Sequence, residues 1–312
     1  MLINEKAPYG SLFYFRSPMK FLLILLTVFP LSGHCFDFIR SLTFSLDPIS
    51  SSSDLRTKEE EILFAFEPNV STGFGLGVET QYISIGYIFS GGDPQQKDQE
   101  ESRFRDIKFD FAIYEFDIRL NYQNYKGALV DSSGLKKFYR DYEVKSKNLR
   151  ANYYFNKDIL KFIRDGKALT NQAGTNEGFL SFKSWFLGVN LDKREIKLPA
   201  TLETAHQARL NEKGVDYKNS FDVFSYGPLV GYDYFMFYDR FFLRGKFAVG
   251  LSFQGSGKTA NQYEIAFGLG VGIKEDHAFS INADAYIMTF KEQNQIIQNQ
   301  NNQATIEYNI AF

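Results

Sequence analysis

Residues 241–254 read FFLRGKFAVGLSFQ, and along this stretch apolar side chains alternate with polar or small ones. Phe247, Val249 and Leu251 fall on one face of an extended chain, and residues 261–274 (NQYEIAFGLGVGIK) repeat the pattern. A strict period of two is typical of a β-strand that has one apolar and one polar face. Such strands are expected where an apolar medium meets a polar one.

The same alternation predicts twelve strands after residue 60. We place them at 61–67, 72–79, 82–90, 103–113, 115–124, 146–156, 178–191, 217–233, 240–254, 261–274, 278–290 and 303–312. Many of them exceed the usual length of about 5 to 6 residues and fit the roughly 9 to 11 that a tilted strand needs to cross a bilayer. The prediction is an all-β fold, a transmembrane up-and-down antiparallel β-barrel of about twelve strands, with ten or fourteen as alternatives.

The connections between these strands alternate in length. Outer-membrane barrels have short turns at one end and longer loops at the other. The predicted outer loops are 91–102, 125–145, 192–216, 255–260 and 291–302, and all but one are long and polar. The predicted inner turns are short apart from 156–177, whose apolar residues have helix-like spacing.

Composition narrows the classes of protein. Aromatic residues make up 17% of the chain, which excludes disorder. The mean hydropathy is -0.28 and no apolar run is long enough for a membrane helix, which excludes a bundle of such helices. The net charge of -2 gives no basic excess to attract nucleic acid. A single cysteine excludes a disulfide framework and a thiolate metal cluster. No cofactor is expected.

The N-terminal 35 residues have the features of a secretory signal peptide, with Lys20, a short apolar run and small residues at the end. The true start is either Met1 or Met19. An alternative is a lipoprotein signal that ends at Cys35. The predicted organisation is therefore a signal peptide at 1–35, a lead-in segment at 36–59 and the barrel at 60–312.

Charged residues of both signs fall on the polar face of the predicted strands. Because an isolated buried charge is costly, charges in a narrow lumen are expected to pair. This favours a small pore for a polar solute, or a structural or surface-interaction barrel. The candidate lumen residues are Asp106, Lys108, Asp110, Asp117, Arg119, Arg150, Arg244, Lys246, Glu264, Asp284 and Glu307.

Residues for catalysis are scarce. The chain has three histidines and no Gly-x-Ser-x-Gly motif, so the residues predict that the protein is not an enzyme. An outer-membrane hydrolase that uses His206 in the longest loop, with Glu203 or Asp216 as partner, is one alternative. A secreted soluble β-sandwich is another. The stretch Gly255–Thr259 ends like a phosphate-binding loop, but a strand follows it where that motif needs a helix.

Several segments resemble a family of bacterial outer-membrane barrels that is known only as a domain of unknown function. They include Glu67-Pro68-Asn69, Tyr125-Lys126-Gly127, Asn152–Asn156 and Tyr226–Tyr234, and the resemblance spans roughly residues 60 to 290. It implies a bacterial outer-membrane location and contact with outer-membrane lipid, but no activity. Phe312 looks like the terminal aromatic residue that the outer-membrane insertion machinery reads in such barrels, which makes that machinery an expected partner.

Overall fold

The structure is a computed structural model. It describes residues 39–311 except 58, 60, 70–71, 81–82, 91–101, 133–134, 161–178, 216, 256–258, 275–276 and 293–294. The predicted signal peptide at 1–35 lies outside the described residues, as does Phe312 with its predicted role in membrane insertion.

The described residues form a single sheet of 13 strands. The strands are β1 (Ile39–Arg56), β2 (Ile62–Glu67), β3 (Thr72–Thr80), β4 (Ile83–Ser90), β5 (Arg103–Ile113), β6 (Phe116–Ser132), β7 (Leu135–Tyr154), β8 (Phe179–Lys197), β9 (Ser220–Tyr238), β10 (Phe241–Gln254), β11 (Thr259–Lys274), β12 (His277–Glu292) and β13 (Gln295–Ala311). One helix, α1 (Thr204–Glu212), lies between β8 and β9. Residues 157–160 form a further helical turn after β7.

The sheet closes on itself. Strand β13 pairs with β1, and β1, β3 and the strands that follow pair in chain order, so that twelve antiparallel strands form a ring. This confirms the predicted up-and-down barrel and excludes a sandwich of two packed sheets. We call the end that holds the start of β1 and the end of β13 the terminus end, and the opposite end the far end.

Strand β2 is additional to the ring and lies at the far end. It pairs with the last residues of β1, where Ser53 faces Phe66, and with β6, where Glu67 faces Leu129. The shorter strands β3, β4 and β5 fill the interval between β1 and β6 nearer the terminus end. Strand β2 therefore joins β1 to β6 directly and narrows the far end of the barrel.

The prediction that residues 36–59 are a lead-in segment was wrong. Residues 39–56 form β1, which closes the barrel by pairing with β13 on one side and β3 on the other. Its alternation is confined to Leu42, Phe44 and Leu46 before Pro48, and a proline followed by serines is not typical of a strand. The predicted strand at 61–67 is β2, so the predicted number of strands in the ring was right but its membership was not.

Several predicted outer loops were also wrong, because the strands continue through them. Strands β6 and β7 occupy most of 125–145, β8 extends to Lys197, and β13 begins at Gln295. In 125–145 the bulge at Gly127 shifts the parity, and in the other parts most residues on both faces are polar, so the alternation on which the prediction depended is lost. Backbone pairing to the neighbouring strands holds these residues in the sheet instead.

The outer face of the ring carries an apolar belt. The residues that form it are exposed and large, and they come from strands all around the ring, for example Phe44, Ile85, Leu120, Leu187, Val230, Phe247, Ile265, Ile281 and Ile306. Water would penalise so much exposed apolar surface, whereas lipid chains would not. No helix among the described residues is long and apolar enough to cross a membrane.

Gly127 explains one of the family-like segments. Its φ of 78° belongs to the left-handed region, and the register of β6 against β7 shifts between Lys126 and Ala128. At this bulge β6 leaves β5 and begins to pair with β2. The hydroxyl of Ser102 donates to the carbonyl of Gly127 at 2.8 Å and accepts from the backbone N–H of Asn69 at 2.7 Å. The segments at 67–69 and 125–127 thus meet where β6 exchanges partners.

Replacing Gly127 by Ala is expected to destabilise the barrel by about 1 to 3 kcal/mol, because a side chain rarely adopts this backbone conformation. A Cβ there would also stand 2.5 Å from the ring of Phe138. The measurement is the urea midpoint of the barrel in detergent. Gly245→Ala is the control, since a Cβ at Gly245 meets nothing within 4 Å. Equal midpoints for the two variants would contradict the role given to the bulge.

Candidate functional site

The interior of the barrel holds a polar cavity of about 410 Å³. It extends to the terminus end, where Thr80, Ile83 and Ala112 line it beside the turns that follow β3 and β5. Most of the candidate lumen residues predicted from the sequence lie on its wall. These are Lys108, Asp110, Asp117, Arg119, Arg150, Arg244, Lys246, Glu264 and Glu307.

Two predicted lumen residues are placed differently. Asp106 is fully buried beside the cavity, where it accepts a hydrogen bond from Gln123 at 3.2 Å and lies 3.7 Å from the ammonium of Lys108. Asp284 is in β12, but its side chain lies outside the described part of the structure.

The centre of the polar network is Glu264 on β11. Its carboxylate accepts from the ammonium of Lys246 at 3.1 Å and pairs with the guanidinium of Arg150. Arg150 is on β7, and three strands lie between β7 and β11 in the ring. The pair therefore spans the lumen and links two distant parts of the wall. The described side chains of all three residues are at most 13% exposed.

A second part of the network lies nearer the terminus end. Arg244 donates two hydrogen bonds to Asp233, at 2.8 and 3.2 Å, and the hydroxyl of Tyr154 donates to the same carboxylate at 3.2 Å. Arg119 donates to Asp117 at 2.9 Å. A paired arginine and aspartate are held in a fixed geometry because the guanidinium is a planar fork. These contacts give the lumen a rigid, charged wall.

The charges are distributed unevenly around the cavity. Carboxylates predominate on β1, β3 and β13, from which Asp47, Glu79 and Glu307 face the interior. Guanidinium and ammonium groups predominate on β7 and β10, as Arg150 and Lys246 show, whereas on β8 Arg194 is paired with Asp192. Among the described residues, no group of three or more His, Cys, Asp or Glu side chains is placed to hold a metal ion.

An apolar cluster fills the far end of the barrel. Its residues come from β1, β2, β4 to β9 and α1, and they are almost fully buried. They include Leu55, Phe64, Phe66, Tyr125, Tyr142, Ile196, Leu210 and Phe221. The rings of Phe66 and Tyr142 stack with centroids 5.1 Å apart. This cluster packs the inside of the far end on the side of β1, β2 and β4 to β9, and none of its members comes from β10 to β13.

Helix α1 is held against β2 at this end. His206 packs edge-on against Phe64, with ring centroids 5.3 Å apart, and Arg209 donates to the carbonyl of Ile62 at 3.4 Å. Beside the helix, the ammonium of Lys213 donates to Glu61 at 2.8 Å. We call α1 and these contacts the lid. The lid ties the connection after β8 to the turn before β2.

His206 is therefore a packing residue in this conformation. It is fully buried, and its Nδ1 lies 2.8 Å from the hydroxyl of Tyr139. Glu203, one of its two predicted partners, forms an ion pair with Lys137 at 3.0 Å instead. The other, Asp216, lies outside the described residues.

A smaller apolar cluster occupies part of the terminus end. Ile159 and Leu160, from the helical turn after β7, are buried there against Phe235, Phe237 and other inward residues of β8 to β10. The sequence places the rings of Phe235 and Phe237 beside Tyr232 and Tyr238 in one aromatic segment. The structure divides that segment, because odd-numbered residues of β9 face the lumen and even-numbered ones face outward. The helix-like spacing at 159–163 was the available signal for this inward contact.

Comparison with known families identifies the chain. The model of a family described as a domain of unknown function, DUF4421, matches residues 38–312. The chain belongs to this family. The match confirms the resemblance seen in the sequence, and it includes all of β1. No curated protein matches the sequence.

Solved structures similar to this chain are outer-membrane barrels of very different sequence. The β domain of the Bordetella autotransporter BrkA is 9% identical, with a TM-score of 0.44 over 88% of this chain and 100% of that one. The outer membrane protease OmpT from Escherichia coli is 11% identical, with a TM-score of 0.37 over 88% and 97%. An outer membrane channel from Pseudomonas putida F1 is 8% identical, with a TM-score of 0.36 over 88% and 96%.

Proposed function

We propose that the DUF4421 barrel is an integral protein of the bacterial outer membrane. The observation that supports this location is the apolar belt, since exposed side chains such as Leu187, Phe247 and Ile265 are suited to lipid rather than water. Heat-dependent migration on gels and sedimentation with outer membranes test the location. A protein that stays in the soluble fraction would contradict it.

Within that membrane we propose a narrow pore for small charged solutes, which the lid opens and closes at the far end. The observation that carries this proposal is the polar cavity, which reaches the terminus end but is covered at the far end by packed apolar residues. The contact between Glu61 and Lys213 is exposed, whereas His206 and Leu210 of α1 are buried, so opening requires these two side chains to leave the apolar cluster. The strand residues of the same cluster, such as Tyr125 and Tyr142, would also have to separate for the lumen to open at the far end.

Single-channel recording of the purified barrel in planar bilayers tests the pore. At neutral pH we expect brief openings of wild type and a rise in open probability for Glu61→Gln by roughly two- to fivefold, the range for loss of one exposed ion pair. Glu59→Gln is the matched control, because Glu59 is an exposed acid in the same turn. A folded protein that never conducts, with or without Glu61, would overturn the pore proposal.

The lid is expected to respond to acid. Lys213 donates a hydrogen bond to Glu61 and keeps its pKa below the ordinary value of 4.5. The contribution of this carboxylate to lid closure is therefore complete above pH 4.5 and is lost as pH falls through the lowered pKa. Open probability should rise below about pH 4.5 in wild type and change less in Glu61→Gln. Equal pH profiles for the two proteins would contradict a role of the Glu61 carboxylate in holding the lid closed.

We also propose that the protein is not a hydrolase. The burial of His206 against Phe64 and Tyr139 supports this, because a general base must reach the proton that it removes. The expected result is that wild type and His206→Ala release fluorophore from ester and peptide substrates at the same background rate. A wild-type rate well above background that is lost in His206→Ala would contradict the proposal and favour the hydrolase alternative.

A further inference from the structure

A cluster of basic side chains lies on the outer face of β5 to β8, just beyond the apolar belt on the far-end side. We call it the basic patch, and it consists of Arg103, Arg105, Lys126, Lys145, Lys147 and Lys193. These residues alternate with inward ones such as Ser146 and Arg194, which are buried. The patch therefore faces the surroundings of the barrel and not its lumen.

The register of the strands fixes the position of the basic patch along the barrel axis. Leu120, Leu149 and Leu191 face one another across β6, β7 and β8 and form the last apolar row of the belt. The next outward row toward the far end contains Tyr122, Lys147, Lys193 and Phe224. Two lysines flanked by two aromatic rings therefore stand at the edge of the belt. This is the level at which lipid headgroups meet lipid chains.

The charges of the patch are only partly balanced. Glu143 lies 3.1 Å from Lys126 and 3.4 Å from Lys145, and Lys193 lies 3.6 Å from both Glu195 and Asp222. No described side chain forms an ion pair with Arg103, Arg105 or Lys147. Lys147 and Lys193 are direct cross-strand neighbours, an arrangement of like charges that is unfavourable unless an anion lies between them.

The outward positions at the far end of β11 differ from those of the basic patch. At the corresponding outward positions of β11, beyond Tyr263, the residues are Asn261 and Thr259, which carry no charge. A general need for solubility would place charges all around the rim. The cations gathered on β5 to β8 favour an anionic occupant on that side of the barrel.

We propose that the basic patch binds phosphate groups on the headgroups of membrane lipids at the far end of the barrel. Lys147 and Lys193 together would hold one phosphate, and Arg105 and Lys145 in the next outward row would hold a second. The aromatic rings of Tyr122 and Phe224 would contact the lipid beside them. This inference rests on the membrane location proposed above, but not on the pore.

The test is binding of lipid A, a glycolipid with two phosphates, to the folded full-length barrel in neutral detergent. Lys147→Gln/Lys193→Gln should raise the dissociation constant roughly thirtyfold, because each basic residue near an anionic lipid surface contributes about 1 kcal/mol to binding. The matched control is Lys157→Gln/Lys183→Gln, which removes the same charge from exposed positions toward the terminus end. That control should stay within about twofold of wild type.

Two further measurements make the outcome unambiguous. Lipid A without phosphates should bind wild type and the patch variant equally, and added salt should weaken only the phosphate-dependent binding. Insertion into neutral phosphatidylcholine vesicles is measured on the same preparations. A barrel that inserts but whose two double variants bind lipid A equally would overturn the basic patch and leave the membrane location intact. A protein that does not insert would overturn both.

Discussion

Glu264→Ala is expected to destabilise the folded barrel by about 3 to 5 kcal/mol, because it leaves the buried cations Arg150 and Lys246 without their shared carboxylate. Both cations are less than 10% exposed, so water in the cavity replaces the lost partner only in part. The effect should also reach across the lumen, since Arg150 and Glu264 join β7 to β11. Urea unfolding in detergent, followed by the fluorescence of Trp185, measures the change.

The control for this variant is Glu195→Ala. Glu195 is also on the barrel wall, but its side chain is 38% exposed. It forms an ion pair with Lys193 at 3.6 Å. We expect a change of less than about 1 kcal/mol there, as for other exposed ion pairs. Similar losses for Glu195→Ala and Glu264→Ala would show that the lumen network is not buried in the way that the structure describes.

Phe64→Ala is expected to cost about 3 to 5 kcal/mol, since it removes a large ring from a packed apolar cluster. Phe64 is fully buried between β2 and the lid, where it contacts His206. The same variant should increase the open probability of the pore, because the cavity that it creates weakens the attachment of α1. Unfolding in urea and single-channel recording of the same preparation measure the two effects.

Ile62→Ala provides the comparison on the same strand. The side chain of Ile62 is 45% exposed on the outside of β2 and does not belong to the cluster. Its truncation should change stability by less than about 1 kcal/mol and leave gating unchanged. A stable Phe64→Ala variant with wild-type gating would contradict the assignment of this cluster as the closure of the lumen.

Alternation in the sequence was sufficient to predict the barrel, and the reason is physical. The wall separates an apolar outside from a polar inside along β9 to β13. In 241–254 and 261–274 the polarity of each residue therefore indicates the face of the sheet on which it lies. The signal fails where that contrast disappears. It disappears after Pro48 in β1 and in the far halves of β6 to β8, where both faces are polar or where the inner face packs against the lid.

The candidate site was predictable as a set of residues but not as an arrangement. Parity places Arg150 and Glu264 on the inner face, yet only the curvature of the ring brings β7 opposite β11 and makes them partners. The loop histidine illustrates the opposite case. Sequence position placed His206 in a long polar loop, whereas the contact of α1 with β2 buries it, and no local pattern encodes a contact between residues 206 and 64.

Access to a single cysteine in the lumen tests the central claim most directly. Asn121 lines the cavity between the two ends, and Asn121→Cys in a chain with Cys35 replaced by Ser gives one thiol at that depth. In oriented vesicles at neutral pH, a small charged thiol reagent should label this cysteine from the terminus end and not from the far end. Labelling from the far end should appear when Glu61→Gln is added. Equal labelling from both ends without that change, or none from the terminus end, would contradict a lumen that the lid closes.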